Sequence, residues 1–479
     1  MRFRNVVIFF FLVFLLIYPL NSHSSGLTPS GVGTKALGLG GAFRGLADDW
    51  SASYWNPAGL AFQTKSEVNF SFMVLNPRPK FTPDVTFFQV EKDRYEVGYR
   101  NDIKRYPEDK TFSLPSFSGF LKFPELNGFI TGLAFFIPYR SSFEWDLFDP
   151  LPGYNNNIPY PGIDHKGDLT VLDFHPSVAR QFMEGKLSLG AGISIQKGDL
   201  TLRKVDLVPS DFPYPYNYRA IENFPVDNNF EGDGWGVGAN IGLLYKASPK
   251  FQIGVSVRSP MTLKLSGTRT LTVYLPNDSL TASQIEPIDP VAASHLRGYT
   301  LSSSFDSETK LKLPADLGVG VAIMPYSNLT VTVDVNLTTW SSLKELKFEE
   351  KGKDPLTGKE ITEYTVPFEW KDATRFSLGL QYMPHKSLAL RAGYFLDPTP
   401  TPDKTLTPLF FNSGEKNGYT LGVGYKGESF ELGYSYEFSG YKEKFLKPTA
   451  GVKPESLTNL PGRYENSTHT SYFTFTYKF

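Results

Sequence analysis

Ser471–Phe479 reads SYFTFTYKF, and its alternation is strict. Phe473, Phe475, Tyr477 and Phe479 fall on one face and Tyr472, Thr474, Thr476 and Lys478 on the other, which is the two-residue period of a β-strand. The pattern recurs upstream. In Phe430–Phe438, Phe430, Leu432, Tyr434, Tyr436 and Phe438 oppose Glu431, Gly433, Ser435 and Glu437. In Leu329–Leu337, Leu329, Val331, Val333, Val335 and Leu337 oppose Thr330, Thr332, Asp334 and Asn336. Phe251–Arg258 and Trp235–Lys246 repeat it, with Leu244 the one exception, and the period holds almost everywhere after Ser66.

The connections decide what kind of all-β protein this is. Tight ones fall around Pro124–Asn127, Glu184–Gly185, Ala247–Lys250, Pro325–Asn328, Pro384–Ser387 and Gly427–Glu428. Long ones span about 76–110, 146–166, 205–232, 266–306, 347–362, 397–416 and 440–468. Short and long alternate, six and seven of them separating fourteen strands. A soluble sandwich has no reason to sort its loops by parity. A barrel crossing a membrane does, with short turns on the periplasmic side and long loops outside. The pattern predicts a transmembrane antiparallel β-barrel of about fourteen strands over residues 64–479, with both ends of the barrel periplasmic. Pro124, Pro249, Pro325 and Pro384 sit in or beside the short turns, where a missing N–H costs no ladder bond. The aromatic closing strand ending on Phe479 resembles the signal that delivers outer-membrane barrels to their assembly machinery.

The start of the chain agrees with export. Arg2 and Arg4 precede the apolar run Val6–Leu20, and Ser22 and Ser24 stand at small-residue spacing, predicting a signal peptide over residues 1–24. The apolar run falls short of the ~20 residues a membrane helix needs. Aromatic residues make up 15% of the chain, with 40 Phe and 26 Tyr, which is high for a soluble enzyme. Lys+Arg total 48 against 49 Asp+Glu, so net charge gives no pointer to nucleic acid. Cysteine is absent, which removes disulfides, thiolate metal sites and thiol nucleophiles.

One stretch does not alternate. Gly31–Ala61, GVGTKALGLGGAFRGLADDWSASYWNPAGLA, is rich in Gly and Ala and precedes all the strands, as a plug inside a barrel would. Gly38-Leu39-Gly40-Gly41 lacks the spacing of a dinucleotide fingerprint, and no P-loop Gly-Lys-Ser/Thr is present. The strand faces opposite the apolar ones carry Gly236, Gly238, Gly242, Gly254, Gly379, Gly393, Gly422, Gly424 and Gly433. Room for a plug or ligand and relief of crowding on a concave sheet would both account for them.

The Gly-rich segment running into Ala47-Asp48-Asp49 and then Asn56-Pro57-Ala58-Gly59-Leu60 resembles the FadL/TodX family of outer-membrane transporters for hydrophobic compounds. Gly234–Gly267, Leu313-Pro314, Asp334 with Trp340-Ser341, Trp370–Gly379 and Leu390–Pro400 are similar to later landmarks of that family, in order. The resemblance implies a fourteen-stranded barrel closed by an N-terminal hatch, here 25–63. It implies transport of long-chain fatty acids or aromatic hydrocarbons without a cofactor or metal. Ligand is caught in an apolar groove of the outer loops and passes to a pocket beside the hatch. It then leaves through the barrel wall or into the periplasm when the hatch rearranges. Asn56, Pro57, Ala58 and Gly59 match the gate element. Leu46, Trp50 and Trp55 are candidates for the pocket or for the hatch's own core. The loops 205–232 and 266–306, with Phe212, Tyr214, Tyr216, Phe224 and Phe230 in the first, are candidates for the groove, exposed clusters of this kind marking binding surfaces or packing on neighbouring loops. The family's wall opening depends on a kinked strand, for which Pro115 and Pro138 are candidates. The implied partners are the hydrophobic ligand, outer-membrane lipid and lipopolysaccharide, and the assembly machinery acting on Phe479, the barrel itself being monomeric.

Two other readings compete. An outer-membrane lipid hydrolase would need His, Ser and a carboxylate converging on one rim. Asp173 and His175 share a strand face and form the best such pair, without a nucleophile motif beside them. A general porin or an adhesin would need no hatch.

Overall fold

The phase of the alternation sets where each strand's polar and apolar faces go, and the chain obeys it. The structure, a computed structural model, describes residues 26–29, 31–88, 94–96, 98–107, 111–123, 125, 129–149, 161–209, 223–410, 414–448 and 458–479. The expected export signal at 1–24 and the aromatic residues Phe212, Tyr214 and Tyr216 lie outside these. Among the described residues, fourteen antiparallel strands close into one barrel. They are β1 (Glu67–Pro77), β2 (Phe112–Phe123), β3 (Phe129–Trp145), β4 (His165–Phe182), β5 (Leu187–Pro209) and β6 (Asn223–Ser248). Four strands come in two stretches: β7 (Phe251–Arg258, Met261–Tyr274), β8 (Thr300–Leu313, Asp316–Tyr326), β9 (Leu329–Thr338, Glu345–Lys353) and β10 (Glu360–Pro367, Ala373–His385). The last are β11 (Leu388–Asp397), β12 (Lys416–Lys426), β13 (Phe430–Tyr441) and β14 (Ser467–Lys478). β1 pairs with β2 from Glu67↔Phe120 to Leu75↔Phe112 and with β14 from Glu67↔Lys478 to Pro77↔Thr468, so no edge is left at the seam.

The fourteen strands and the parity of their connections follow the sequence expectation, but three long connections are shorter than expected. β6 begins at Asn223, β7 runs to Tyr274 and β8 starts at Thr300, and β9 and β10 turn over between Lys353 and Glu360. The reason is a phase flip. Low on β7, Val257 faces out while Gln252 and Ser256 are buried, and above the Ser259-Pro260 break Lys264 faces out while Leu263 and Leu265 are buried. β8 changes in the same way across Pro314-Ala315, with Leu317 and Val319 outward below and Leu311 and Leu313 inward above. Within the membrane the outside is apolar. Beyond it the outside is wet and the apolar residues turn inward. The proline breaks let one strand serve both environments.

The wall is also interrupted between β2 and β3. β2 and β3 pair only from Phe117↔Phe135 to Phe123↔Phe129. Beyond Phe135, β3 leaves β2 and shifts register against β4 between Phe136 and Tyr139, a bulge at Ile137-Pro138. Of the two prolines picked out by sequence, Pro138 marks the irregularity, while Pro115 lies in regular β1–β2 pairing opposite Phe72. Over the gap, the Arg140 guanidinium lies 4.4 Å from the Phe112 ring centre, and the Arg140 N–H donates to the Leu27 carbonyl at 3.1 Å.

Segment 31–62 lies inside this ring of strands. It folds as α1 (Thr34–Gly38), α2 (Ala52–Trp55) and a 3-10 turn, Pro57–Phe62. Elements this short do not hold as isolated helices, and the wall supplies what they lack.

Candidate functional site

Most of the bonds that fix the inner segment run from wall side chains to its backbone. The Gln252 amide donates to the Gly45 carbonyl at 2.7 Å, Asn240 to Ser53 at 2.8 Å and Arg258 to Tyr54 at 2.7 Å. Across the barrel, Thr420 donates to the Gly38 carbonyl at 3.1 Å and Ser435 to Thr34 at 2.7 Å. Asp334 works with the opposite polarity: one carboxylate oxygen accepts the Phe43 and Arg44 N–H groups at 3.0 and 2.8 Å. The Arg44 side chain reaches outward to Ser256 at 3.1 Å and to Asp316 at 2.7 Å.

Glycines in the wall make the close approach possible. A Cβ at Gly190 or Gly242, cross-strand partners on β5 and β6, would fall on the Asn56–Ala58 turn. One at Gly254 would meet the Arg44 carbonyl, and one at Gly393 would meet Leu39 and Gly40. Gly379, Gly422 and Gly433 face the segment in the same way. Of the glycines that the sequence placed on inward faces, these six (242, 254, 379, 393, 422, 433) make room for the segment. Gly236 and Gly238 instead abut β7 side chains, and Gly424 abuts the Arg391 guanidinium.

The Asn-Pro-Ala-Gly element is the most tightly specified part. Asn56 is fully buried. Its amide donates to the Arg44 carbonyl at 3.0 Å and to the Leu243 carbonyl of β6 at 3.1 Å, and its oxygen caps the turn by accepting from Ala58 N at 3.2 Å. Pro57 occupies the first position of the turn, where its missing N–H costs nothing. Gly59 packs so closely on Ala47 that a side chain would overlap the Ala47 carbonyl. Leu46, Trp50 and Trp55 all belong to one buried apolar cluster that joins the segment to wall residues such as Phe120, Phe136 and Leu244. Trp55 also borders a cavity of about 40 Å³ above it, with Arg44, Tyr54, Arg258, Asp334 and Arg375.

The Asp173–His175 pair serves the same scaffold. His175 Nε2 sits 3.1 Å from the Asn240 oxygen, whose amide holds Ser53, and Ser194 donates to Asp173 at 2.9 Å. All three members of this serine–histidine–aspartate group are buried, and the Ser194 hydroxyl is committed to the carboxylate.

Above the segment, the inward leucines and aromatics of β4–β10 form one apolar column. Trp340 and Trp370 meet edge-on at 5.0 Å, and Phe230 packs on Phe348 at 4.8 Å. At its outer end lies a cavity of about 510 Å³. Val226, Leu271, Val273, Leu356 and Ile361 give it apolar walls, and Asn228, Arg269 and Tyr364 a polar floor. Arg269 is already engaged there, donating to Glu350 at 2.6 Å and to Asn228 at 3.1 Å. Asp206, Asp289 and Asp354 also border the space. Both loops singled out by sequence contribute, but Phe224 and Phe230 are buried inward rather than exposed. What the sequence missed is the contribution of 354–364 and the wall anchors Asn240 and Gln252, which are ordinary inward polar positions in an alternating strand, and it marks Asp334 as a family landmark without its anchoring role.

The chain matches the model of a family described as outer membrane protein transport protein (OMPP1/FadL/TodX) over residues 30–479. It is 23% identical over 438 residues to the 47 kDa outer membrane protein of Pasteurella multocida, covering 89% of this chain and 90% of that one. It is 22% identical over 466 residues to outer membrane protein P1 of Haemophilus influenzae, covering 91% of each. Among solved structures, a FadL homologue of Pseudomonas aeruginosa superposes with a TM-score of 0.72 at 20% identity, over 95% of this chain and all (100%) of that one. The toluene transporter TodX of Pseudomonas putida gives 0.68 at 16% identity, over 94% and 99%.

Proposed function

The chain belongs to the OMPP1/FadL/TodX family of outer membrane transport proteins, and on that premise we propose that this outer-membrane barrel carries hydrophobic small molecules inward past a hatch formed by residues 25–63. The observation that carries this reading is the apolar column that lies between the polar floor of the 510 Å³ outer cavity and the inner segment. A water-filled pore would serve such solutes poorly, because apolar surface gains ~25 cal/mol per Å² on leaving water. Ligand enters the outer cavity, moves along the column and reaches the space over Trp55. The Asn56-Pro57-Ala58-Gly59 turn is the gate. Release runs through the β2–β3 gap, beside which a cavity of about 60 Å³ lies between Thr28, Phe112 and Arg140. The barrel works as a monomer amid lipid and lipopolysaccharide and reaches the membrane through recognition of its closing strand and Phe479.

Two observations bear on the cargo. The outer cavity is bordered by three aspartates, and its arginine is already paired with Glu350, which favours an uncharged hydrocarbon at the entrance. Arg258 and Arg375 at the inner cavity, where Arg44 is already paired with Asp316, favour a carboxylate deeper in, the fatty-acid alternative. Mass spectrometry of apolar compounds retained by gently purified protein, after growth on alkylbenzene or on oleate, separates them. Steady ion conductance in planar bilayers with no retained ligand would replace the transporter reading with a porin.

A further inference from the structure

Strand register places charges on the outer wall in bands. Ile241, Val257 and Leu317 form one cross-strand row on β6, β7 and β8, and all three face outward. Further toward the long-loop end, Lys197, Trp235, Lys264 and Lys310 form another row across β5 to β8. Trp235 is 58% exposed and Val237 beneath it 67%, so this second row stands at the upper margin of the lipid-facing wall, where tryptophan marks an interface. The next row outward is acidic, with Asp199, Asp233 and Glu308 in register.

Lys264 and Lys310 are direct cross-strand partners, a like-charge arrangement that weakens a sheet. Lys312, opposite Thr262, adds a third positive charge two residues along β8. Among the described residues, none of Lys264, Lys310 and Lys312 forms an ion pair, whereas Lys197 lies 3.6 and 3.5 Å from Asp199 and Asp233 and Lys347 is paired with Glu363. Three exposed, unpaired lysines held together against their own repulsion, directly above an apolar wall, suit a ligand with phosphates on an acylated anchor.

The geometry points to a lipid A site on the outer wall of β6–β8: the phosphorylated headgroup of a lipopolysaccharide rests on Lys264, Lys310 and Lys312, with its acyl chains on the wall below. The site rests on the outer-membrane placement of the barrel and not on what the barrel transports.

The test is binding of bisphosphoryl lipid A to the detergent-purified protein by native mass spectrometry and thermal shift, beside hydrocarbon binding as a separate readout. Dephosphorylated lipid A and inorganic phosphate are the comparison probes. Lipid A binds and raises the melting temperature, and the two comparison probes do not. At roughly a tenth to a fifth of the affinity per lysine near an anionic surface, K264Q/K310Q/K312Q binds about 100-fold more weakly while its hydrocarbon binding is unchanged. The control K351Q/K353Q/K359Q, equal in charge, binds as the wild type does. Lys310→Gln alone relieves the opposed pair, so it is no less stable than wild type without lipid A and less stable with it. Equal lipid A binding by the triple variant overturns the proposal. So does equal loss in the control, equal protection by inorganic phosphate or by dephosphorylated lipid A, or a Lys310→Gln protein that is destabilised already in detergent.

Discussion

Asn56→Ala offers the sharpest test of the gate. Three bonds end on this fully buried side chain, two donated to the Arg44 and Leu243 carbonyls and one accepted from Ala58 N. Loss of the cap costs ~1 kcal/mol and loss of each buried donor about as much again, so the docked turn weakens by roughly 3 kcal/mol. At 1.4 kcal/mol per decade, the undocked population rises about 100-fold. The natural chain has no cysteine, so a single Ala61→Cys probe reports on the turn. Ala61 is 1% exposed when docked. Where opening is fast relative to labelling, the maleimide rate scales with the open population. Asn56→Ala accelerates labelling about 100-fold while the melting temperature of the barrel stays put, because the wall ladder is untouched. Asn56→Asp discriminates further. It keeps the volume and the bond from Ala58 N but turns both donors into a buried carboxylate facing two carbonyls, which costs more than truncation. Labelling faster in the aspartate than in the alanine variant is therefore expected. Rates within threefold of the parent in both variants, or slower labelling in the aspartate, would refute the anchoring argument.

Gly190→Val drives a side chain into the Pro57–Ala58 peptide, where backbone must give. Overpacking of that kind costs ~1–3 kcal/mol and shows as faster Ala61→Cys labelling, while Gly440→Val, whose Cβ meets open space, leaves the rate unchanged. Leu271→Trp fills part of the outer cavity and lowers hydrocarbon uptake about tenfold in whole cells, with heat-modifiable mobility showing a folded barrel. Deleting Pro138 removes the single-residue register shift between β3 and β4 without altering the partners above it, and uptake falls about tenfold if cargo leaves beside β2. His295 borders the outer cavity, and burial holds its imidazole below the ordinary value of 6.5 against the opposing pull of Asp289. A base with a lowered folded-state pKa leaves the fold fully stable above that ordinary value and costs stability as the pH falls through it. Hydrocarbon seated against the ring excludes water and disfavours the charged imidazole further, so binding at the outer cavity weakens as the pH falls below about 6.5, and His295→Gln flattens the profile.

Much of this barrel is written in the chain as period and parity. The outward residues of β12, β13 and β14 alternate without a break, and the short turns sit where proline or glycine stands between alternating runs. The strands that reach beyond the membrane are harder to read. On β7 the rule that puts Val257 outside puts Lys264 outside as well. A reader who follows hydrophobicity alone loses the strand at Pro260, since the solvent and not the strand has changed. The Asn-Pro-Ala-Gly turn is legible because its chemistry is local: a cap, a proline and a close-packed glycine in four residues. Asp334, Gln252 and Asn240 are not, because only the closed ring brings them to backbone groups hundreds of residues away.

That distribution of contacts limits how the proposed hatch can move. The wall side chains Asn240, Gln252, Arg258, Thr420 and Ser435 each donate to a different backbone carbonyl of the segment, on opposite sides of the barrel. At ~1 kcal/mol net apiece, with Asp334 and Arg44 adding charge-assisted bonds, expelling the whole segment breaks them all at once and is prohibitive on a transport timescale. The 3-10 turn Pro57–Phe62 is different: it packs on β4, β5 and β6, and the Asn56 cap and the Ser188 hydroxyl bonded to the Ala58 carbonyl are its polar ties. Releasing that turn alone costs a few kcal/mol, within reach of the apolar burial of a single ligand. The wall glycines Gly190 and Gly242 line the space it would vacate. Local release beside β5 and β6, with Asp334 and Arg44 still holding the rest of the segment, is therefore the motion that the bonding pattern permits.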